Sequence, residues 1–219
     1  MLASERPGSD PGPFALGRPM DTDAERIIGL YRRHAQAWDE ARGDHLREGA
    51  WLDRFLALMP LGGAVLDVGC GSGRPMARYC IDRGFDLTGV DSSPELIALC
   101  RARFPGGTWD VADMRTLALG RRFEGLLAWH SLFHLTPEDQ DAMFAVFAEH
   151  STPGAALMFT SGWNRGVATG RFQGERLYHA SLDPDEYHAL LATNGFKVVA
   201  HEVNQAEAGA GAVWLAHRT

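Results

Sequence analysis

The sequence contains few cysteines, no long apolar run and no excess of basic residues. Its 219 residues include three cysteines, Cys70, Cys80 and Cys100, which cannot all pair with one another and show no zinc-binding spacing. The longest apolar runs are too short to cross a bilayer, and no signal segment opens the chain. These absences predict free thiols in a reducing cytoplasm and no membrane partner.

The charge balance is acidic, with 21 lysines and arginines against 28 aspartates and glutamates and a net charge of −7. Such a balance argues against a nucleic-acid partner, which usually requires a basic excess. Residues 1–20 are rich in proline and glycine, and this composition predicts a flexible tail. The length of residues 21–219 fits one domain. Within it, residues 21–60 predict a helical cap and residues 162–182 an insertion that serves as a lid or substrate loop.

The central signal is the stretch 65–73, Val-Leu-Asp-Val-Gly-Cys-Gly-Ser-Gly. An apolar run typical of a buried parallel strand ends near Asp67 and leads into three glycines at alternate positions. Pro75 then fits the first turn of a helix. Strand, glycine turn and helix predict the first nucleotide-binding corner of a Rossmann-like sheet. The dinucleotide pattern, however, requires glycine or alanine where Arg74 stands.

Strand and helix signals alternate from this stretch to the end of the chain. The predicted strands are 64–68, 86–90, 108–111, 123–129, 155–160, 196–203 and 212–217. The predicted helices are 23–43, 46–59, 74–83, 92–103, 136–150 and 183–193. The last two strands are joined by a short Gly-rich turn at 208–211, so they must be antiparallel. The pattern predicts an α/β fold with a mostly parallel sheet.

Two further acids follow predicted strands. Asp91 comes directly after the second strand, where a carboxylate can accept hydrogen bonds from ribose hydroxyls. Asp113 and Met114 follow the third strand, where an acid can receive an exocyclic amine and a methionine can pack on a base. Each acid alone is typical of a solvated loop. Together they lie at the carboxyl ends of neighbouring strands, where open α/β sheets bind ligands.

The motif from Asp67 to Gly73, with Asp91 and Asp113, resembles the class I S-adenosylmethionine-dependent methyltransferases of the small bacterial kind. The resemblance implies a Rossmann-like three-layer sandwich with a seven-stranded sheet in the order 3-2-1-4-5-7-6 and an antiparallel last strand. It also implies S-adenosylmethionine as cofactor, a small-molecule methyl acceptor, and a monomer or homodimer. The cofactor-binding residues it implies are Tyr31, Trp38, Asp67, Gly69, Cys70, Gly71, Asp91, Ser92, Asp113, Met114 and Trp129.

The resemblance also implies which part of S-adenosylmethionine each residue contacts. The glycine loop would face the methionine end, Asp91 the ribose, and Asp113 and Met114 the adenine. A helix ahead of the first strand often covers the cofactor in this family. Tyr31 is therefore interpreted as bonding the methionine carboxylate through its hydroxyl and Trp38 as a wall of the pocket. Core packing is the alternative interpretation of this aromatic stripe.

Two histidines are the candidate catalytic bases, needed where the acceptor is a hydroxyl. His130 follows the fourth strand, and His179 lies in the 162–182 insertion. His134 is interpreted as a partly buried residue at a helix start. No third ligand stands beside His130 and His134, so no metal site is predicted. The arginines of the insertion are candidates for binding a substrate carboxylate. They are Arg165, Arg171 and Arg176.

Two alternatives to a methyltransferase stay open. Asp91 serves the ribose of an NAD(P)-dependent oxidoreductase equally well, although the glycine spacing and Arg74 disfavour one. A protein that binds S-adenosylmethionine without catalysis is the other. The segment after the fourth strand, Trp129-His130-Ser131-Leu132, lacks the Pro-Pro-aromatic motif used on exocyclic amines of nucleobases. A carboxylate O-methyltransferase or a natural-product O- or N-methyltransferase both fit.

Overall fold

A seven-stranded sheet organises the part of the chain that the computed structural model describes, residues 22–203 and 211–219. The predicted tail, 1–20, and most of the predicted turn at 208–211 lie outside these ranges. Within them, no helix has the length and apolar character needed to span a membrane.

The helices alternate with the strands, as the sequence pattern predicted. The α-helices are α1 Thr22–Arg33, α2 Ala35–Arg42, α3 Gly49–Leu56, α4 Met76–Asp82, α5 Pro94–Arg103, α6 Pro137–Glu149 and α7 Pro184–Thr193. The strands are β1 Ala64–Val68, β2 Asp86–Asp91, β3 Thr108–Val111, β4 Phe123–Ala128, β5 Ser151–Ser161, β6 Gly166–Phe172, β7 Glu175–Ser181, β8 Phe196–Val203 and β9 Ala212–Arg218. Short 3-10 helices cover Met114–Thr116 and Leu132–His134.

The main sheet has the strand order β3-β2-β1-β4-β5-β9-β8. Strands β1 to β5 pair in parallel, and β9 runs antiparallel to both β5 and β8. Counted without the β6–β7 hairpin, this is the predicted order, so the Rossmann-like fold is confirmed. One apolar layer packs α3, α4 and α5 on one face of the sheet, and a second layer packs α6 and α7 on the other.

Two regions differ from the sequence prediction. The single helix predicted over 23–43 is divided at His34, whose φ of −113° and ψ of 21° depart from helical values. The 162–182 insertion contains an antiparallel hairpin, β6 and β7, rather than an irregular loop. The hairpin forms its own two-stranded sheet and packs on α1 through Ile27, Tyr178 and Ala180.

Candidate active site

A cavity of about 670 Å³ opens at the carboxyl ends of β1, β2 and β4. Helices α1 and α2 and strand β7 complete its walls. The predicted cofactor-binding residues, from Tyr31 to Trp129, all line this cavity, and so do His130 and His179. The fold therefore brings together the predicted cofactor-binding residues and both candidate bases, although the separations along the chain exceed a hundred residues.

The glycine loop after β1 forms the floor of the cavity. Gly69 and Gly71 have φ values of 77° and 56°, which glycine adopts without the steric cost borne by other residues. A Cβ atom on Gly71 would lie 2.4 Å from the ring of Trp38. On Gly69 it would lie 2.3 Å from the Cβ atom of Ser131, whose hydroxyl donates to the carbonyl of Val68 over 2.7 Å. The loop therefore leaves no room for side chains at these two positions.

Asp91 fixes the loop from the end of β2. Its Oδ2 accepts from the backbone N–H of Gly71 over 3.0 Å, and its Oδ1 accepts from Ser93 N–H over 2.9 Å. Burial raises the pKa of Asp91, and the backbone N–H donors partly oppose that effect. Each carboxylate oxygen has two lone pairs, so Asp91 can still accept bonds from ribose hydroxyls.

Asp67 is the most secluded acid of the cavity, with 2% of its surface exposed. Burial, and then the nearby charge of Asp91, raise the pKa of Asp67 to about 7. The backbone of Asp67 pairs with β2 and β4, but its carboxyl group has no hydrogen-bond partner among the described residues. A buried carboxyl group without partners requires neutralisation, either by a proton or by a cationic ligand.

Asp113 also lines the cavity, beside Met114. Its Oδ2 lies 2.5 Å from Nη2 of Arg115. The Arg115 guanidinium lowers the pKa of Asp113, so this carboxylate is ionised at neutral pH. The sequence prediction gave Asp113 to an amine without a competing partner. The structure shows that such an amine must share the carboxylate with Arg115.

Three histidines, His130, His134 and His179, line the cavity as a cluster around Phe133. His130 has a φ of 52°, and its backbone N–H donates to Thr160 Oγ1 over 2.9 Å. Its Nε2 atom is buried without a partner in the described part of the chain, so Nδ1 is the ring nitrogen that can face a ligand. Burial lowers the pKa of His130 to about 4 and also lowers the pKa of His179.

His134 has contacts that the sequence did not indicate. It is buried in the second 3-10 helix, and both ring nitrogens are bonded, Nε2 to Tyr31 Oη and Nδ1 to the carbonyl of Tyr178, each over 2.8 Å. The four-residue spacing from His130 was the only sequence signal for its place in the cluster. Its partners lie 103 and 44 residues away along the chain, beyond the reach of local patterns.

Tyr31 and Trp38 lie between the glycine loop and the histidine cluster. Their rings meet edge to face, with centroids 6.2 Å apart. Cys70 also lines the cavity, and burial raises the pKa of its thiol well above the usual value. Cys80 and Cys100 are fully buried in α4 and α5. None of the three thiols is therefore primed as a nucleophile.

Comparison with known proteins places these observations in a family. A "Methyltransferase domain" family matches residues 65–154. The dTDP-3-amino-3,6-dideoxy-alpha-D-glucopyranose N,N-dimethyltransferase of Streptomyces fradiae is 31% identical over 180 residues, which cover 73% of this chain and 69% of that relative. The chain belongs to the class I S-adenosylmethionine-dependent methyltransferases.

Other relatives of this methyltransferase extend the comparison. The dTDP-3-amino-3,4,6-trideoxy-alpha-D-glucopyranose N,N-dimethyltransferase of Streptomyces venezuelae is 32% identical over 106 residues, 48% of this chain and only 44% of that relative. Two solved structures share the fold. CalS10, an amino pentose methyltransferase from Micromonospora echinaspora, has a TM-score of 0.68 at 22% identity and covers 85% of this chain and 96% of its own. The 1,6-didemethyltoxoflavin-N1-methyltransferase of Burkholderia thailandensis scores 0.71 at 19% identity and covers 93% of each chain.

The methyltransferase cavity fits the cofactor of its family. The Asp91 carboxylate keeps free lone pairs, and the glycine loop brings backbone close to a ligand at the buried Asp67. CalS10 was solved with S-adenosylmethionine bound, and the toxoflavin enzyme with S-adenosylhomocysteine and 1,6-didemethyltoxoflavin. For this chain, membership of the S-adenosylmethionine-dependent methyltransferases makes S-adenosylmethionine the cofactor, and the NAD(P)-dependent alternative loses its support.

Proposed function

We propose that this methyltransferase transfers a methyl group to an amine, or secondarily a hydroxyl, on a small-molecule acceptor that is neutral or cationic. The observation that carries the proposal is one cavity that contains both the glycine loop with Asp91 and the cluster of neutral histidines. The first half holds a nucleoside-like ligand, and the second half offers space and neutral polar groups to a second molecule.

The cofactor supplies a methyl group on a sulfonium, which is a strong electrophile. Asp91 would accept from the ribose hydroxyls, Asp113 and Met114 would hold the adenine, and Gly69, Cys70 and Gly71 would face the methionine end. Ser92, Trp38 and Trp129 would complete this half of the wall. What the protein adds is mainly proximity and orientation of the two reactants.

His130 would receive the acceptor's proton or hydrogen bond at Nδ1. Burial keeps its ring neutral at pH 7. The same burial makes it a weak proton acceptor, so removing a proton from a hydroxyl is costly there. A neutral amine attacks with its own lone pair and needs no prior proton transfer. This difference favours an amine, with His179 as a second neutral contact.

The charges of the cavity disfavour an anionic acceptor. The arginines among its described lining residues are Arg42, Arg74 and Arg115, and each is already paired with an acid of this chain. The arginines of the insertion, predicted to bind a substrate carboxylate, are absent from the described lining. Arg165 pairs with Glu186, Arg176 pairs with Asp23, and Arg171 donates to a carbonyl within its own hairpin. A carboxylate or phosphate would find no free cation here.

Matched acceptors test the proposal. Labelled methyl transfer from S-adenosylmethionine is measured over sets of small molecules in which one scaffold carries an amine, a hydroxyl or a carboxylate. We expect transfer to amines first and none to carboxylates. Preferential transfer to carboxylates would overturn the charge argument. Tight binding of S-adenosylhomocysteine with no transfer to any acceptor would support the catalytically inactive alternative.

A second measurement tests His130. His130→Ala should lower turnover about tenfold or more with the best acceptor, because the acceptor loses a polar contact in the reacting geometry. His45→Ala, at an exposed histidine away from the cavity, is the control and should match the wild type. Full turnover in His130→Ala would remove its proposed role.

We also propose a cellular compartment, an oligomeric state and a cap for this methyltransferase. Three free, buried thiols fit a reducing cytoplasm. The acidic balance supports a protein without a nucleic-acid partner. We further propose that it acts as a monomer or homodimer. Helices α1 and α2 with the β6–β7 hairpin would act as the cap over the cavity, since they supply its outer wall.

A further inference from the structure

His134 links three separate elements at the boundary between the two halves of the cavity. Its Nδ1 lies 2.8 Å from the backbone oxygen of Tyr178 on β7, and its Nε2 lies 2.8 Å from the hydroxyl of Tyr31 on α1. Both Tyr31 and His134 also line the cavity. The protein therefore holds this histidine by both ring nitrogens while it faces the ligand space.

The carbonyl of Tyr178 determines the tautomer of His134. A backbone oxygen can only accept, so Nδ1 must carry the proton. Burial lowers the pKa of His134 to about 3, so the ring is neutral and Nε2 carries a lone pair. The hydroxyl of Tyr31 is then the donor, and its single proton is committed to His134. Burial also raises the pKa of Tyr31, so the phenol does not ionise at neutral pH.

Only the lone pairs of Tyr31 Oη are then left to meet a ligand. Tyr31 lies beside Trp38, which covers Gly71 on the cofactor side, and beside the His134 ring, whose centroid is 5.3 Å from its own, on the acceptor side. A carboxylate, such as the methionine carboxylate first predicted as its partner, has only lone pairs to offer and is repelled by those of Tyr31 Oη. A group with an N–H or O–H can instead donate a hydrogen bond to Tyr31 Oη.

We propose that His134 is a positioning residue that fixes Tyr31 as a hydrogen-bond acceptor for the N–H or O–H of the methyl acceptor. The inference rests on the proposed function, because it assigns a contact within the same methyl-transfer site. Through this contact, Tyr31 orients the lone pair of the acceptor and selects for donor groups. The low pKa of His134 makes it a poor terminal proton acceptor, so the pair orients rather than relays a proton.

The tautomer can be tested without turnover. In the wild-type protein labelled with ¹⁵N-histidine, long-range ¹H–¹⁵N spectra distinguish protonated from unprotonated ring nitrogens. We expect His134 to carry a proton on Nδ1 and none on Nε2, unchanged from pH 8 to pH 5. Buried His150 has the same bonding pattern, from Nδ1 to the carbonyl of Val146 and from the N–H of Leu119 to Nε2. Tyr31→Phe distinguishes the two, because it should move the Nε2 resonance of His134 and leave that of His150 in place. A proton on Nε2 of His134 would overturn the proposal, because Tyr31 would then be free to donate.

Kinetics test the consequence. Tyr31→Phe removes the acceptor oxygen, and His134→Asn keeps an N–H group for Tyr178 while removing the partner of Tyr31. Each variant should lower kcat/KM for the acceptor about tenfold at saturating cofactor, with little change in the Kd of S-adenosylhomocysteine. The double variant should lose no more than either single one, because the two residues act as a unit.

Two outcomes would overturn this assignment. Additive losses would show that His134 does not act through Tyr31. A weaker Kd for S-adenosylhomocysteine in Tyr31→Phe, with kcat/KM unchanged, would return Tyr31 to the methionine carboxylate. If the wild type transfers no methyl group at all, the proposed function fails, whereas the spectra still report on the tautomer independently.

Discussion

At the scale of single residues, the glycine loop depends on backbone shape and on close contact with Trp38. Gly71 has a φ of 56°, and a Cβ atom added to it would lie 2.4 Å from the ring of Trp38. Gly84 has a φ of 82° but nothing within 4 Å of the same position. The two glycines therefore separate the cost of a left-handed backbone from the cost of a steric clash.

Gly71→Ala should destabilise the fold more than Gly84→Ala does. Both variants place alanine in the left-handed region, which costs about 1–2 kcal/mol. Gly71→Ala must also displace Trp38, which adds about 1–3 kcal/mol of overpacking and disturbs the cofactor site. Urea unfolding gives the stabilities, and calorimetry gives the affinity for S-adenosylhomocysteine. Equal losses of stability in the two variants, with unchanged affinity, would show that the Trp38 ring moves aside at no energetic cost.

The sequence was informative for residues whose role follows from local spacing. Asp67, Gly69 and Asp91 line the cavity because each lies at, or directly after, the carboxyl end of a parallel strand. No signal in the sequence indicated the partners of His134, because Tyr31 and Tyr178 reach it only in the tertiary fold. Spacing along the chain predicts which sheet edge a residue reaches, but it does not predict partners from distant elements.

At the scale of elements, the β6–β7 hairpin depends on α1. Its β6 strand is largely exposed, and the buried contacts of the hairpin with α1 form a small cluster of Ile27, Tyr178 and Ala180. Ion pairs extend the contact, with Glu175 bonded to Arg33 and His34. The sequence did not predict this hairpin because an exposed strand lacks the apolar alternation that marks a half-buried one.

Ile27→Ala should loosen α1 and the hairpin together while leaving the main sheet intact. The change removes about 2–4 kcal/mol of buried contact from a cluster that is separate from the two sheet layers. Hydrogen exchange measured by mass spectrometry should therefore accelerate in residues 22–33 and 166–181 but not in β1 or β4. Glu175→Gln, which weakens only exposed ion pairs, is the control and should change exchange little. Faster exchange spread over the whole sheet would contradict the view that these two elements form one local unit.

At the scale of the whole molecule, more of the fold than of the site could be predicted from the sequence. The strand order followed from the alternation of elements and the resemblance, because parallel strands with helical connections permit few topologies. The electrostatic balance was not predictable, since it depends on burial. Burial raises the pKa of Asp67 to about 7 and lowers the pKa of His130 to about 4. As the pH rises, the contribution of Asp67 to the stability of the fold therefore falls, whereas that of His130 rises.

The contributions of Asp67 and His130 to stability change with pH in opposite directions. Asp67 holds its proton in the folded state above its usual pKa of 3.8, so its contribution to stability falls as the pH rises from about 4 through about 7. His130 stays neutral below its usual 6.5, so its contribution is complete above that pH and is lost as the pH falls toward 4. Both side chains line the same cavity, so a charged ligand bound there changes the pKa of both groups.

Cofactor binding should therefore release protons, chiefly from Asp67. At pH 6.5 a carboxyl group with a pKa of about 7 is largely protonated, and a bound cation favours its ionised form. S-Adenosylmethionine carries a sulfonium and an ammonium against one carboxylate, so its binding should lower the pKa of Asp67 and expel up to about one proton. Calorimetric titrations at pH 6.5 in buffers of different ionisation enthalpy measure the number released. Asp67→Asn should abolish most of the release, whereas Asp110→Asn, at an exposed acid away from the cavity, should not change it. An unchanged release in Asp67→Asn would assign the proton to another group, with Asp91 next to be tested, and would show that Asp67 is already ionised before the cofactor arrives.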